Sequence, residues 1–327
     1  MARRWFKGNL HTHTANSDGD SPPGAVVRWY RDAGYDFLAL TDHDMVTLPD
    51  DYRILAGAME LVHGEEITAG DIHMNALGIR RDITPSLMPT ERMTLDRNAE
   101  AVREQGGVPS INHPNFRWAV RQTDVEPLSN VSVFEVYNAG PEKNNGGRPG
   151  HGSTEQFWDG LLSLGVRMVG IAPDDAHEFT RWGGQYRNPG RAWVHVRAES
   201  AREAAVLGAL EAGDVYASTG VELDEIATDA AGMAIDIATQ FDRAYTTTFI
   251  GRGGEVLDET HGAEPRYLFR GSEGYVRARV VDSDGGIAWV QPYFLDCAAT
   301  TTPSPAICAP RVKWAGSIQS LSGGSSV

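Results

Sequence analysis

The chain has 327 residues, 41% of them hydrophobic, which allows one large domain, or one large and one small, with an ample core. Its formal net charge of −15 repels a phosphate backbone over most of the surface and argues against nucleic-acid binding, leaving a metal-rich pocket as the place to hold phosphate locally. The amino terminus lacks the long apolar stretch of a signal peptide and no run is long enough to span a bilayer, so a cytoplasmic protein without membrane contact is expected.

In chain order, residues 5–13 read as a strand ending in His11-Thr12-His13, and 22–33 as a helix with Ser21 as N-cap and Gly34 as its stop. A buried-strand run over 37–41 delivers Asp42 and His43. Residues 61–68 and 73–79 are the next strands, 91–105 has helical spacing, and 108–112 is a strand ending at His113. A strand over 131–137 leads into a Gly/Asn/Pro-rich loop, 138–152. A helix over 153–164, a strand over 166–172 ending at Asp174 to His177, a strand over 193–197, a helix over 201–210 and a strand over 215–218 complete the pattern. Strands alternating with helices predict a parallel β/α architecture. The chemistry-bearing residues recur at C-terminal strand ends, where (β/α) barrels carry their active sites.

After about Gly220 the texture changes to short strands over 226–248, 263–269, 275–281 and 287–295 with Gly-rich turns, including the hairpin signal Ser283-Asp284-Gly285-Gly286, and a small antiparallel β unit is expected. The resulting division is a barrel over 1–220, a β-rich domain over 221–296, and a tail over 297–327 that reads as poorly ordered. Cys297 and Cys308 lie at that end, far from the histidines, and read as two free thiols, with a disulfide between them as the alternative.

Four histidine-centred clusters dominate the first half: His11-Thr12-His13 with Asp18, Thr41-Asp42-His43-Asp44, Asn112-His113-Pro114, and Asp174-Asp175-Ala176-His177. Between the second and third stand Glu65, Glu66 and His73. Residues two apart on a strand share a face, so His11 and His13 are able to chelate one ion from a rigid backbone, as are Asp175 and His177. His and carboxylate without thiolate suit Zn²⁺, Mn²⁺ or Fe. Asp42 is a candidate to orient a ligand imidazole. His63, His195 and His261 read as structural. Asn115, Phe116 and Trp118 directly after His113, Glu135 and Asn138 at a strand end, and Arg148, His151, Arg181, Trp182 and Arg187 in long loops are candidates to touch substrate.

The set Gly8-Asn9-Leu10-His11-Thr12-His13-Thr14, Ser17-Asp18-Gly19, Thr41-Asp42-His43-Asp44, Gly64-Glu65-Glu66-Ile67-Thr68, Asn112-His113-Pro114 and Asp175-Ala176-His177 resembles the PHP (polymerase and histidinol phosphatase) domain over roughly residues 5–220. Within it, Phe6-Lys7-Gly8-Asn9-Leu10-His11 and the β-rich end are similar to the stand-alone branch that includes carbaryl hydrolase. The resemblance implies a distorted (β/α)₇ barrel and two or three divalent ions. It assigns His11, His13, Glu66 and Asp175 to a first ion, Glu66, His73 and His113 to a second, and Asp18, His43 and His177 to a third. Glu66, Asp175 and His177 become the expected catalytic residues. Glu65 and Asp174 are the alternatives to Glu66 and Asp175, set aside because the family reads Gly-x-Glu before an apolar residue and Ser or Thr, and because Asp175 is two residues from His177.

The expected activity is hydrolysis of a small phosphomonoester or phosphodiester by a metal-bridged hydroxide, since a divalent ion lowers the pKa of bound water from about 15.7 to about 7. The same ligands serve hydrolysis of a carbamate, aryl ester or amide, and Trp118, Phe179 and Trp182 lean that way. A third reading is a metal-stabilised accessory module without turnover.

Overall fold

The computed structural model describes residues 3–295, so the expected tail and both cysteines lie outside the described residues. The first part comprises strands β1 (Arg4–Asn9), β2 (Phe37–Ala39), β3 (Glu60–Val62), β4 (Gly64–Ala69), β5 (Ile72–Leu77), β6 (Val108–Ile111), β7 (Val133–Glu135), β8 (Val169–Ile171), β9 (Trp193–Ala198) and β10 (Val215–Ser218). Between them lie helices α1 (Pro23–Asp32), α2 (Arg53–Ala56), α3 (Glu91–Glu104), α4 (Gln122–Val125), α5 (Thr154–Ser163) and α6 (Glu203–Ala212). Seven further strands follow: β11 (Leu223–Thr228), β12 (Gly232–Ile237), β13 (Tyr245–Ile250), β14 (Val256–His261), β15 (Arg266–Leu268), β16 (Tyr275–Asp282) and β17 (Ile287–Phe294). Among the described residues no helix is long and apolar enough to cross a membrane.

Among the described residues the architecture is mixed α/β with three sheets. One runs β4-β5-β6-β7-β8; another runs β14-β13-β16-β17-β10-β9-β1-β2-β3; β11, β12 and β15 form the third. The expected parallel arrangement holds for β1-β2-β3 and β6-β7-β8 only. Strand β5 pairs antiparallel with β4 and β6; the two-residue turn Gly70-Asp71 that joins β4 to β5 is too short for a parallel crossover. Gly70 adopts φ 69°, which a side chain would strain. Two isolated parallel bridges, Thr12–Ala176 and His43–Glu66, join the ends of the first two sheets, which do not form one continuous closed barrel.

Several boundaries differ from expectation. The single strand expected over 61–68 breaks at His63, whose N–H and ring meet Glu203 at 2.8 and 2.7 Å instead of a neighbouring strand. Helix α1 begins with Pro22 as N-cap and Pro23 at its first turn, so Ser21 falls one residue early and donates to Asp20 at 2.9 Å. Strand β14 was not anticipated; it is a polar, largely exposed edge paired only to β13, without a core-facing stripe to betray it.

Packing follows amphipathic spacing. In α1, Pro23, Val26, Val27 and Tyr30 line one face and bury against Leu38, Leu40 and Leu61. Each fully buried apolar side chain of this kind contributes about 2 kcal/mol. Helices α3 and α5 cover β4–β8 through Leu95, Ala99, Val102, Trp158 and Leu161. Strands β16 and β17 carry the first part's sheet onward by pairing β17 with β10, and Tyr216, Phe249, Val276 and Val290 share one core there.

Candidate metal centre

Each cluster sits where a strand ends. Beyond β1 the chain stays extended through His11 and His13, fixed by hydrogen bonds from Asp175 N to His11 O at 3.1 Å and from His13 N to Ala176 O at 2.9 Å. Asn9, buried, donates to His11 O at 3.0 Å and Tyr30 Oη at 2.9 Å, locking the approach. Beyond β2, Glu66 N donates to Asp42 O and Asp44 N to Glu66 O, which sets His43 against Glu66. His113 follows β6 with φ 23° and Asp175 follows β8 with φ 51°, both unusual for L-residues and both at the centre of the site.

All nine expected ligands converge. The two oxygens of Glu66 divide the imidazoles: Oε2 lies 3.2 Å from His11 Nε2, 3.1 Å from His13 Nε2 and 3.2 Å from His43 Nδ1, while Oε1 lies 3.0 Å from His73 Nδ1 and 3.3 Å from His113 Nε2. Asp175 Oδ1 lies 3.3 Å from His11 Nε2, 3.4 Å from His13 Nε2 and 3.6 Å from His177 Nδ1. Asp18 Oδ1 gathers His177 Nε2 at 3.2 Å, His13 Nδ1 at 3.5 Å and His43 Nε2 at 3.7 Å. Four groups have ligand atoms within 4.8 Å of one another: His13-Asp18-His43-His177, His11-His13-Glu66, His11-His113-Asp175 and His43-Glu66-His73. This borderline-hard N/O donor set, gathered around shared carboxylates, fits divalent ions.

A supporting layer holds these groups. His11 Nδ1 pairs with Glu135 Oε1 at 2.6 Å, and Glu135 Oε2 accepts from His113 N at 2.7 Å, so one buried carboxylate orients two cluster segments. Asn112 donates to Glu66 Oε1 at 2.7 Å, and Thr68 Oγ1 meets His43 Nδ1 at 2.6 Å. Asp42 does not take the expected role: it accepts from Thr14 N, Thr14 Oγ1, Ser17 Oγ and Thr47 Oγ1, and so braces the turn after His13 instead of an imidazole. The side chains of Glu65 and Asp174 turn away from the cluster. Glu65 Oε1 accepts from Ile83 N at 2.7 Å, and Asp174 caps the backbone of residues 190–192 and binds Tyr30 Oη at 2.8 Å.

Burial disfavours charge throughout the site; opposed groups overcome it at the shared carboxylates and at His11 and His13, while desolvation prevails at His43, His113 and His177. Glu66 is held well below the usual carboxylate range by His11 and His73 despite desolvation, and Asp175 likewise by His11 and Lys143. Desolvation pushes His177 down to about 4, with His13 adding to it, which favours the neutral imidazole that a metal requires.

The expected substrate residues divide. Asn115, Trp118 and His151 line a cleft of about 430 Å³ with Arg121, Gln122 and Gln156, which none of the nine expected ligands lines. Asn115 clamps the 138–152 loop by donating to Asn144 O and Gly152 O. The Trp118 ring lies 4.1 Å from that of His151, tilted by 31°, with the Arg148 guanidinium 4.8 Å from its centroid. Arg181 is exposed and lies over Tyr186. Sequence reasoning passed over Lys143, whose Nζ lies 2.9 Å from Asp175 Oδ2; only its place in the Gly/Asn/Pro-rich loop hinted at it. Arg187 Nη1 lies 3.0 Å from His177 Nε2.

No protein-family model and no curated protein matches the chain. Among solved structures, it is similar to a two-domain protein containing a predicted PHP-like metal-dependent phosphoesterase from Bacteroides vulgatus, with a TM-score of 0.50 and 17% identity over 89% of this chain and 96% of that one. A candidate metal-dependent phosphoesterase from Bifidobacterium adolescentis matches with TM-score 0.40 and 17% identity over 55% of this chain and 89% of that one. The lesion-specific endonuclease of Pyrococcus furiosus matches with TM-score 0.43 and 11% identity over 63% of this chain and 56% of that one. At such identities the likeness is one of fold, shared with the Bacteroides protein over most of both chains.

Proposed function

We propose that the chain is a metal-dependent hydrolase of a small phosphomonoester or phosphodiester, holding two or three divalent ions of Zn, Mn or Fe. The observation that carries this reading is the division of Glu66, one oxygen to three imidazoles and the other to two, as a carboxylate shared between ion sites requires. His11, His13 and Asp175 would complete the first site, His73 and His113 the second, and Asp18, His43 and His177 the third. Ions bound there supply Lewis acidity and a water acidified to near neutrality. The chain's own residues fix the imidazole tautomers through Glu135 and Thr68, bury the carboxylates of Glu66 and Asp175 away from bulk water, and bring the cations Lys143 and Arg187 alongside. The order β1-β2-β4-β5-β6-β7-β8, completed by the Thr12–Ala176 and His43–Glu66 bridges, supports reading the strands as a distorted (β/α)₇ barrel.

Carbamate, aryl ester or amide hydrolysis is the second reading, resting on the sequence likeness to the carbaryl branch and on Phe116, whose ring lies 5.2 Å from that of His113. Phe179 and Trp182, which leaned that way in the sequence, pack near Trp29 and offer the cluster no ring in the described contacts. A panel of nitrophenyl phosphate mono-, di- and triesters, carboxyl esters and carbamates, run on protein reconstituted with Mn²⁺, Zn²⁺ or Fe²⁺, tests the choice. Phosphoester turnover is expected; turnover of carbamates or carboxyl esters alone overturns the phosphoesterase reading, and turnover of nothing favours an accessory module.

A further inference from the structure

Two cations from different loops flank the Asp175–His177 end of the cluster, and one carboxylate lies between them. Lys143 is 4% exposed, with Nζ 2.9 Å from Asp175 Oδ2 and 4.4 Å from the Phe116 ring centroid. The Phe116 ring packs in turn on His113 and His73. From the loop after β8, Arg187 places Nη1 3.0 Å from His177 Nε2, while its Nε is 4.0 Å from Glu178. Glu142, 44% exposed, sets Oε1 3.6 Å from Lys143 Nζ and 4.0 Å from Arg187 Nη1. Both separations are long for a committed ion pair, so Glu142 is held loosely.

A buried ammonium next to a cluster that gathers metal cations is electrostatically unfavourable, because like charges in a low-dielectric site repel strongly. Asp175 offers Lys143 one partner, yet its other oxygen faces three imidazoles. The excess positive charge calls for an anion beyond the side chains that supply the metal ligands. We propose that Lys143 and Arg187 form a clamp for the nonbridging oxygens of a phosphoryl group, and that the Glu142 carboxylate fills the clamp until that group arrives. This rests on the phosphoesterase reading and deepens it. Exchange of a solvent-accessible carboxylate for the anionic nonbridging oxygens of a phosphoryl group selects a phosphoester over a neutral carbamate. It also makes Glu142 a competitor that tunes affinity, which no metal ligand does.

The test is binding of inorganic phosphate to the metal-reconstituted full chain, by calorimetry, with metal content measured on every variant. Lys143→Met and Arg187→Met should each weaken phosphate about tenfold or more, since each removes a charge-assisted hydrogen bond, at unchanged metal content. Lys143→Arg should keep most of the affinity, and Glu142→Gln should tighten phosphate. Phosphate affinity within about twofold of wild type in both methionine variants, less than the loss of one charged hydrogen bond, overturns the clamp, and so does weaker binding in Glu142→Gln. Should a methionine variant fail to fold, Glu142→Gln and Lys143→Arg still decide. Wild type that turns over carbamates alone, with phosphate affinity still falling on Lys143→Met, refutes the phosphoesterase reading and leaves the clamp standing; phosphoester turnover with indifferent variants does the reverse.

Discussion

Glu65 and Glu66 are neighbours on β4 whose carboxylates work on opposite faces of the strand: Glu65 accepts from Ile83 N at 2.7 Å behind the sheet, while Glu66 meets five imidazoles in front of it. Strand alternation alone produces this split.

Glu66→Gln keeps the shape and removes the charge shared by the ion sites. Turnover should fall by several orders of magnitude and metal content should drop, with the circular dichroism spectrum unchanged. Glu65→Gln should retain full metal stoichiometry. Measuring metal content and kcat on the pair checks the register, and a crippled Glu65→Gln beside an active Glu66→Gln would mean the bridge is the other residue.

Glu65 also sets a pH dependence of stability. Burial pushes its carboxyl from the ordinary 4.5 up to about 7, against the pull of the Ile83 amide, and its Oε2 has no hydrogen-bond partner among the described residues. Below pH 4.5 both folded and unfolded chains hold the proton, so the contribution is fully present. Between 4.5 and 7 the unfolded chain releases the proton first, binds fewer protons than the folded one, and stability falls as pH rises through that window. Glu65→Gln lacks this loss, so its Tm advantage over wild type should grow from pH 5 to pH 8 in calorimetric scans. An advantage that is constant or shrinks refutes the assignment.

Glu135 links His11 Nδ1 and the His113 backbone through its two oxygens. Glu135→Gln should lower metal affinity or activity about 10- to 100-fold, the usual effect of losing a carboxylate behind a ligand imidazole. Chelator titration of loaded protein reads it, and an unaltered half-point would remove Glu135 from the site's support.

Asp159 on α5 binds Arg277 on β16 through two 2.7 Å contacts, and Tyr275 donates to the same carboxylate at 2.8 Å. Asp159→Ala leaves the buried guanidinium with Glu155 at 3.1 Å as its remaining carboxylate. The expected cost is about 3 kcal/mol in urea unfolding. A change below about 1 kcal/mol would place this pair with ordinary surface salt bridges.

The candidate site was the most legible part of the chain because its signals are local. His11 and His13, Asp175 and His177, and the Asn112-His113-Pro114 run each declare a strand end within a few residues. What escaped was supplied from far away. Lys143 looks like any loop lysine until the 138–152 loop folds onto Asp175, and Asp42 looks like a ligand's partner until Thr14, Ser17 and Thr47 claim its oxygens. The interruption at His63 depends on Glu203, 140 residues away. Periodicity found β10 at its observed bounds but missed the edge strand β14, where neither face is buried and no stripe is written.

Strand β10 is flanked by β9 on one side and by β17, the last described strand, on the other. A fragment ending near residue 220 would keep every candidate ligand and still present a bare ladder of N–H and C=O groups along β10, the kind of border that recruits strands from other molecules. The distal strands thus act as a selvedge, finishing a fabric that would otherwise fray into aggregates. Transplanting the metal-binding half onto another protein would require a donor strand to be carried along with it.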